Sequence, residues 1–151
     1  MAGSPFPVTP KPTRDSIPLL IGGQPKYAIP RAVRWGAGWT IGGLPAPMAA
    51  PLAEEFRSGW RDGGGRGEPR IVALSYFSLG EGTEGESIAN LRHYYGFLGD
   101  WVDGIAMGAP RTREAVRDTA KAFEDIGVEE FIFDPTVADV RQVDLLADAV
   151  L

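Results

Sequence analysis

Apolar residues follow two periods along this chain, and glycines mark where one gives way to the other. Ile17-Pro18-Leu19-Leu20-Ile21 is a short apolar run closed by Gly22-Gly23. It predicts a buried strand that opens into a tight turn, with Pro18 tolerated only near the strand's start. Tyr27 to Trp35 predicts a short helix with Pro30 in its first turn and Gly36 as its stop. Gly38-Trp39-Thr40-Ile41 predicts a second strand, closed by Gly42-Gly43. Pro45 and Pro47 open a longer helix, in which Met48, Leu52, Phe56 and Trp60 recur every four residues as one apolar stripe. Asp62-Gly63-Gly64-Gly65 ends it. Ile71 to Leu79 is the strongest strand, apolar on both faces as strands of parallel sheets are.

A glycine- and glutamate-rich loop, Gly80 to Glu86, precedes an expected helix over Ser87 to Leu98 with Ile88, Leu91, Tyr95 and Leu98 on one side. Trp101 to Gly108 has no deciding period. Arg113 to Ile126 reads as a helix with Val116, Ala120, Phe123 and Ile126 inward, stopped by Gly127. Val128 to Phe133 is the last strand, and Thr136-Val137-Ala138-Asp139 matches a capping box at the start of the final helix. Strands alternating with helices imply right-handed crossovers and a parallel sheet, an α/β fold. Four such strands make a small open sheet or half of a closed barrel, and their apolar edges call for a mate. Residues Met1 to Ser16, rich in proline and without a period, read as an extended arm ahead of one domain over 17–151.

Composition narrows the setting. A chain of 151 residues supports one domain with a real core but falls short of an eight-stranded barrel, which takes about 250. A net charge of −5 opposes binding to nucleic acid and to anionic membranes. With no cysteine, thiolate, disulfide and zinc–thiolate chemistry are excluded, and a reducing cytoplasm fits. The N-terminus lacks the basic-then-apolar order of a secretion signal, and no run of about 18 apolar residues exists to span a membrane.

Ligands of parallel α/β folds sit at the carboxyl ends of the strands. Those ends are Gly22-Gly23, Gly42-Gly43, Gly80-Glu81-Gly82 and Asp134-Pro135-Thr136. The first pair leads into a helix start, whose N–H groups and positive dipole end suit a phosphate, with Gln24, Lys26 and Tyr27 as further donors. Spacing alone favours a plain tight turn there. His93, the only histidine, has no partner at triad-like spacing and reads as a surface or packing residue. Glu81, Glu84 and Glu86 read as a solvated loop with only a weak case for calcium, and no metal-ligand spacing occurs. Trp35, Trp39, Trp60 and Trp101 read as core or interface residues, and Arg111 and Arg113 as exposed.

Several segments together carry a family resemblance: Val8-Thr9-Pro10-Lys11-Pro12, Ile17 to Gly23, Arg31-Ala32-Val33-Arg34-Trp35-Gly36-Ala37-Gly38-Trp39, Gly108-Ala109-Pro110 and Gly127-Val128-Glu129-Glu130-Phe131-Ile132. In this order and spacing the chain resembles the C-terminal half of bacterial-luciferase-like flavin monooxygenases. The resemblance implies the last four strands of a (β/α)8 TIM-type barrel, with FMN or a deazaflavin coenzyme as cofactor and a small organic substrate. It implies that Gly22, Gly23, Gln24 and Tyr27 meet the cofactor phosphate, and that Gly38 and Trp39 lie near the cofactor on the next strand. The family often has an acidic residue in place of Ala37 and acidic residues in place of Arg111. Its N-terminal four strands, which usually carry the catalytic polar residues, are not in this sequence. A homodimer, or a partner supplying the N-terminal half barrel, is the expected solution. The contrasting expectation is a homodimeric, non-catalytic half barrel that binds a small anion or nothing.

Overall fold

The computed structural model describes residues 17–36 and 38–151, together with Pro10 and Thr13. The expected arm over Met1–Ser16, the Val8–Pro12 motif and Ala37 therefore lie, but for those two residues, outside the described residues. The elements are β1 (Leu20–Gly22), α1 (Pro25–Trp35), β2 (Gly38–Ile41), α2 (Ala46–Asp62), β3 (Arg70–Phe77), α3 (Thr83–Tyr95), a 3-10 turn (Gly96–Leu98), α4 (Trp101–Gly108), α5 (Arg113–Asp125), β4 (Glu130–Pro135) and α6 (Arg141–Val150). The strands form one parallel sheet in the order β1-β2-β3-β4.

That order decides between the two architectures left open by the sequence. A doubly wound sheet reverses its strand order and places helices on both faces. Here the order never reverses, so right-handed crossovers put the connecting helices on one face, as in an arc of a barrel. The register confirms it. Ile21, Trp39, Ile41, Ile71, Ala73 and Phe131 fall on one side and pack with Ala28, Ala32, Ala49, Ala53, Phe56, Trp60 and Phe123 of α1, α2 and α5. Phe77 and Phe133, on the same side, pack with Val116, Leu145 and Ala149 of α5 and α6. The alternating positions, among them Leu20, Thr40, Val72, Leu74, Tyr76, Ile132 and Asp134, share the other face. Of these only Tyr76 joins a packed cluster, and Ile132 is 41% exposed. Val72 on the same face is 2% exposed, so the chain is an α/β half barrel whose inner face is open around Ile132 and partly covered elsewhere.

Several boundaries and faces differ from the sequence reading. The first strand is confined to Leu20–Gly22. Helix α1 starts at Pro25, so Pro25 holds the first helical position that suits proline, and Pro30 lies inside the helix. Pro30 and Pro51 both sit on exposed faces, where water can solvate the carbonyl one turn back.

In α2 the buried stripe is Ala46, Ala49, Ala53, Phe56 and Trp60, and Met48 is 52% exposed. At 3.6 residues per turn, a strict four-residue spacing drifts about 40° each step, so Met48 stands about 120° around the helix from Trp60. Spacing of three and four in alternation holds one line. Along it the rings of Trp39, Phe56 and Trp60 stack at 5.2 and 6.4 Å between centroids.

Glu84 and Glu86 belong to the first turn of α3, where they favour the helix dipole, rather than to a loop. Trp101–Gly108 is a helix. Within the expected α3 stripe, Leu91 is buried and Leu98 is exposed. The last strand is shifted to Glu130–Pro135.

The expected capping box does not form. Helix α6 begins at Arg141, whose amide donates to Asp139 Oδ1. Thr136 is drawn inward, where its hydroxyl bonds the Phe77 carbonyl and Ser87 Oγ. Gln142 then ties α6 to the end of β3: Leu79 N–H donates to its Oε1 at 2.8 Å and its Nε2 donates to the Leu79 carbonyl at 2.7 Å. Both polar ends of this buried side chain are satisfied, which such a burial requires.

The aromatic stack predicts a sharp contrast between two residues of α2. Phe56→Ala should cost about 3–5 kcal/mol, and Met48→Ala less than about 0.5 kcal/mol, as read from urea unfolding midpoints.

Candidate functional site

The carboxyl end of β1 is the most constructed of the strand ends. Gly23 has φ +101°, a conformation that side chains rarely adopt, and the chain turns there into α1. Gly22, Gly23, Gln24 and Tyr27 come together at this turn and all four are exposed. Arg31, one turn further along α1, folds back over it. Its Nε donates to the Tyr27 carbonyl at 2.9 Å and its Nη2 donates to the Gly22 carbonyl at 2.9 Å. The indole N–H of Trp39 donates to the Gly23 carbonyl from below at 2.7 Å.

Both carbonyls of the glycine pair are thus engaged by donors, and the positive end of Arg31 stays at the mouth with no carboxylate partner among the described residues. Lys26 lies beside the Tyr27 ring, 5.6 Å from its centroid, and adds a second positive charge. The helix start itself offers less than the sequence promises. Pro25 has no N–H, and the Tyr27 and Ala28 amides both turn to the Gln24 carbonyl. The Lys26 amide is the first-turn donor not used inside the helix. Attraction for an anion at this turn therefore rests on Arg31 and Lys26 more than on the helix dipole.

The structure does not bring Gly38 and Trp39 to the mouth. Gly38 opens β2 at the opposite end from the turn. A Cβ there would come within 1.8 Å of the Arg70 carbonyl, so glycine is needed for β2 to lie against β3. Trp39 is 2% exposed and faces the helix layer. Its role is to hold the turn by one hydrogen bond.

Three further residues of the mouth escape a sequence reading. Arg31 is one arginine among many until the turn brings it back. Tyr76 and Asp134 are register partners at the carboxyl ends of β3 and β4, on the open face. Their signal in sequence is parity: each stands an odd number of positions from the residues of its own strand that pack on the helix layer. The Tyr76 hydroxyl is hydrogen-bonded to that of Tyr95 on α3, whose ring stands edge-on at 5.8 Å. Burial first, then this hydrogen bond and nearby Asp134, push the Tyr76 phenol well above the ordinary tyrosine range. Tyr76 stays protonated and keeps the dyad a hydrogen-bond donor.

Elsewhere the polar residues have structural work. Arg111, expected to be exposed, is half-buried and donates to the Ala106 and Ala109 carbonyls at 2.6 and 2.9 Å, which caps the C-terminus of α4. Arg113 is exposed and pairs with Asp148. His93 is exposed on α3. Trp39 and Trp60 are core residues, whereas Trp35 and Trp101 are exposed, Trp35 beneath the Arg34 guanidinium at 4.5 Å. Among the described residues no three carboxylate or histidine side chains group as a metal site, and no helix is long and apolar enough to cross a membrane.

No protein-family profile and no curated protein matches this chain. Solved structures do. An F420-dependent secondary alcohol dehydrogenase in complex with an F420–acetone adduct superposes over 97% of this chain and 56% of its own, with TM-score 0.68 and 16% identity. Apo-MsnO8 superposes over 97% of this chain and 54% of its own, with TM-score 0.62 and 19% identity. The shared fold is a parallel α/β half barrel, which superposes on about half of each of these structures. The chain spans about half the length of the solved structures it matches, and at these identities the likeness is one of fold.

The state of Tyr76 is open to a direct check. Of four tyrosines, one should ionise late in an absorbance titration toward high pH, and Tyr76→Phe should remove that late step. Since the folded-state value lies above the unfolded one, stability should fall as pH rises past about 10, and less so in the variant.

Proposed function

We propose that this chain is the C-terminal half barrel of a luciferase-like oxidoreductase and that it holds a flavin or deazaflavin coenzyme by its phosphate at the Gly22–Tyr27 turn. One observation carries the reading: at the end of β1, where barrel enzymes of this kind place ligands, two glycine carbonyls are neutralised by Arg31 and Trp39 while Arg31 and Lys26 leave positive charge at the surface. A coenzyme phosphate fits that donor set. FMN and the deazaflavin coenzyme share this group, so the turn does not choose between them.

The coenzyme, when bound, would supply the redox chemistry. This chain's residues would do the positioning. Gly22 and Gly23 allow close backbone approach, Gln24 and Lys26 add donors, and Arg31 both shapes the turn and meets the charge. On the open face Tyr76, held by Tyr95, would offer one hydroxyl donor to a substrate oxygen, with Asp134 beside it as an acceptor. The N-terminal half of the barrel would come from a second copy or a partner chain, and would complete both the lumen and the substrate pocket.

The test compares FMN with riboflavin, which lacks the phosphate, by amide NMR of the chain in whatever assembly it forms. FMN should shift the Gly22, Gly23, Gln24 and Lys26 amides, riboflavin should not, and Arg31→Gln should weaken FMN binding by about tenfold or more, the worth of a hydrogen bond to a charged group. Equal binding of FMN and riboflavin, or no response to FMN or the deazaflavin coenzyme, would leave the non-catalytic half barrel as the better reading.

A further inference from the structure

A cavity of about 480 Å³ lies apart from the glycine turn, in the groove where α4 crosses the first turn of α2 and the middle of α5. Its floor includes Ser75, which shares the helix-side face with Ala73 and Phe77. Leu44, Met48, Trp101, Ile105 and Phe123 make the walls apolar, and the Tyr76 ring closes its inner end. The volume suits a compact organic molecule.

Charge sorts the candidates. The mouth has few donors, because Pro45 and Pro47 at the start of α2 carry no N–H and the Met48 and Ala49 amides turn to the Pro45 carbonyl. The one charged side chain in the lining is the carboxylate of Asp118, exposed and without an ion-pair partner among the described residues. Nearby cations are engaged elsewhere: Arg111 with the end of α4, Arg117 with the Ala149 carbonyl, Lys121 with Glu124 and Asp125. An anion would meet no unengaged cation among the described lining residues. A molecule with an apolar body and a positive end would place its body against Trp101 and Phe123 and its charge at Asp118.

We propose that this cavity is a binding site for a small hydrophobic amine, an aromatic or branched aliphatic body carrying one ammonium group. The site lies on the helix side of the sheet and does not rest on the coenzyme reading. Through Tyr76 an occupant would touch the open face, so binding there would be felt at the mouth of the barrel.

The test uses three probes with one ring and one linker: phenethylamine, 2-phenylethanol and phenylacetate. Binding to the whole chain is followed by amide shifts at Gly104, Ile105 and Thr119. Phenethylamine should bind tightest and phenylacetate weakest. Asp118→Asn should weaken the amine by about threefold to fivefold, toward the alcohol, and leave the alcohol unchanged. Gly104 lines the cavity, and a Cβ there meets nothing within 4 Å. Gly104→Leu should therefore fill the site and abolish all binding while the helix is kept. Phenylacetate binding as well as the amine, an Asp118→Asn variant that binds the amine like wild type, undiminished binding to a folded Gly104→Leu, or no shift with any probe would each overturn the proposal. None of these outcomes bears on FMN at the glycine turn.

Discussion

A parallel sheet whose strands run in sequence order has all its crossovers on one side, and the rest of this structure depends on that constraint. Helices α1, α2, α5 and α6 cover one face, so each strand sorts its side chains by parity. One set, Trp39, Ile41, Ile71, Ala73, Phe77 and Phe131, packs into the helix layer. The other, with Val72, Leu74, Tyr76, Ile132 and Asp134, faces away from that layer, and of it only Tyr76 packs with helical residues, those of α3 and α4. In a closed barrel that second face becomes the packed interior. An apolar sheet face and two outer edges without a strand partner among the described residues are what such a half would present to its complement.

The same sorting separates support from function at the mouth. The family resemblance implies that Trp39 lies near a ligand, whereas its residue type alone reads as core. Parity turns it toward the helix layer, where it stacks on Phe56 and spends its single donor on the Gly23 carbonyl. The surface charge comes instead from α1, where a helical turn brings Arg31 back over Gly22. At the ends of β3 and β4 parity acts in the opposite direction and delivers Tyr76 and Asp134 to the open face.

Much of the fold was legible because apolar runs and glycines punctuate the chain so clearly. The β2 segment, Gly38–Ile41, is found at the residues its pattern implies, and the alternation of strands and helices holds throughout. What pattern alone could not show was which way a residue points. The every-four stripe through Met48 fails because a helix does not close in four residues. The capping box at Thr136 fails because the Phe77 carbonyl and Ser87 offer that hydroxyl buried partners. Of the candidate site, Gly22, Gly23, Gln24 and Tyr27 do converge on one turn, whereas Arg31, Tyr76 and Asp134 emerge only once helix periodicity and strand register are known together.

The open face is, on this reading of the sheet, half of an interior. Light scattering on the purified chain, beside an Ile132→Lys variant, tests it most directly, since Ile132 stands on that face, partly exposed, away from the glycine turn. The wild-type chain should associate into a dimer of two 16.2 kDa copies, with or without FMN, and the variant should stay folded and monomeric. A dimer that ignores a lysine at position 132 would contradict it, and a stable wild-type monomer would rule out a second copy as the complement.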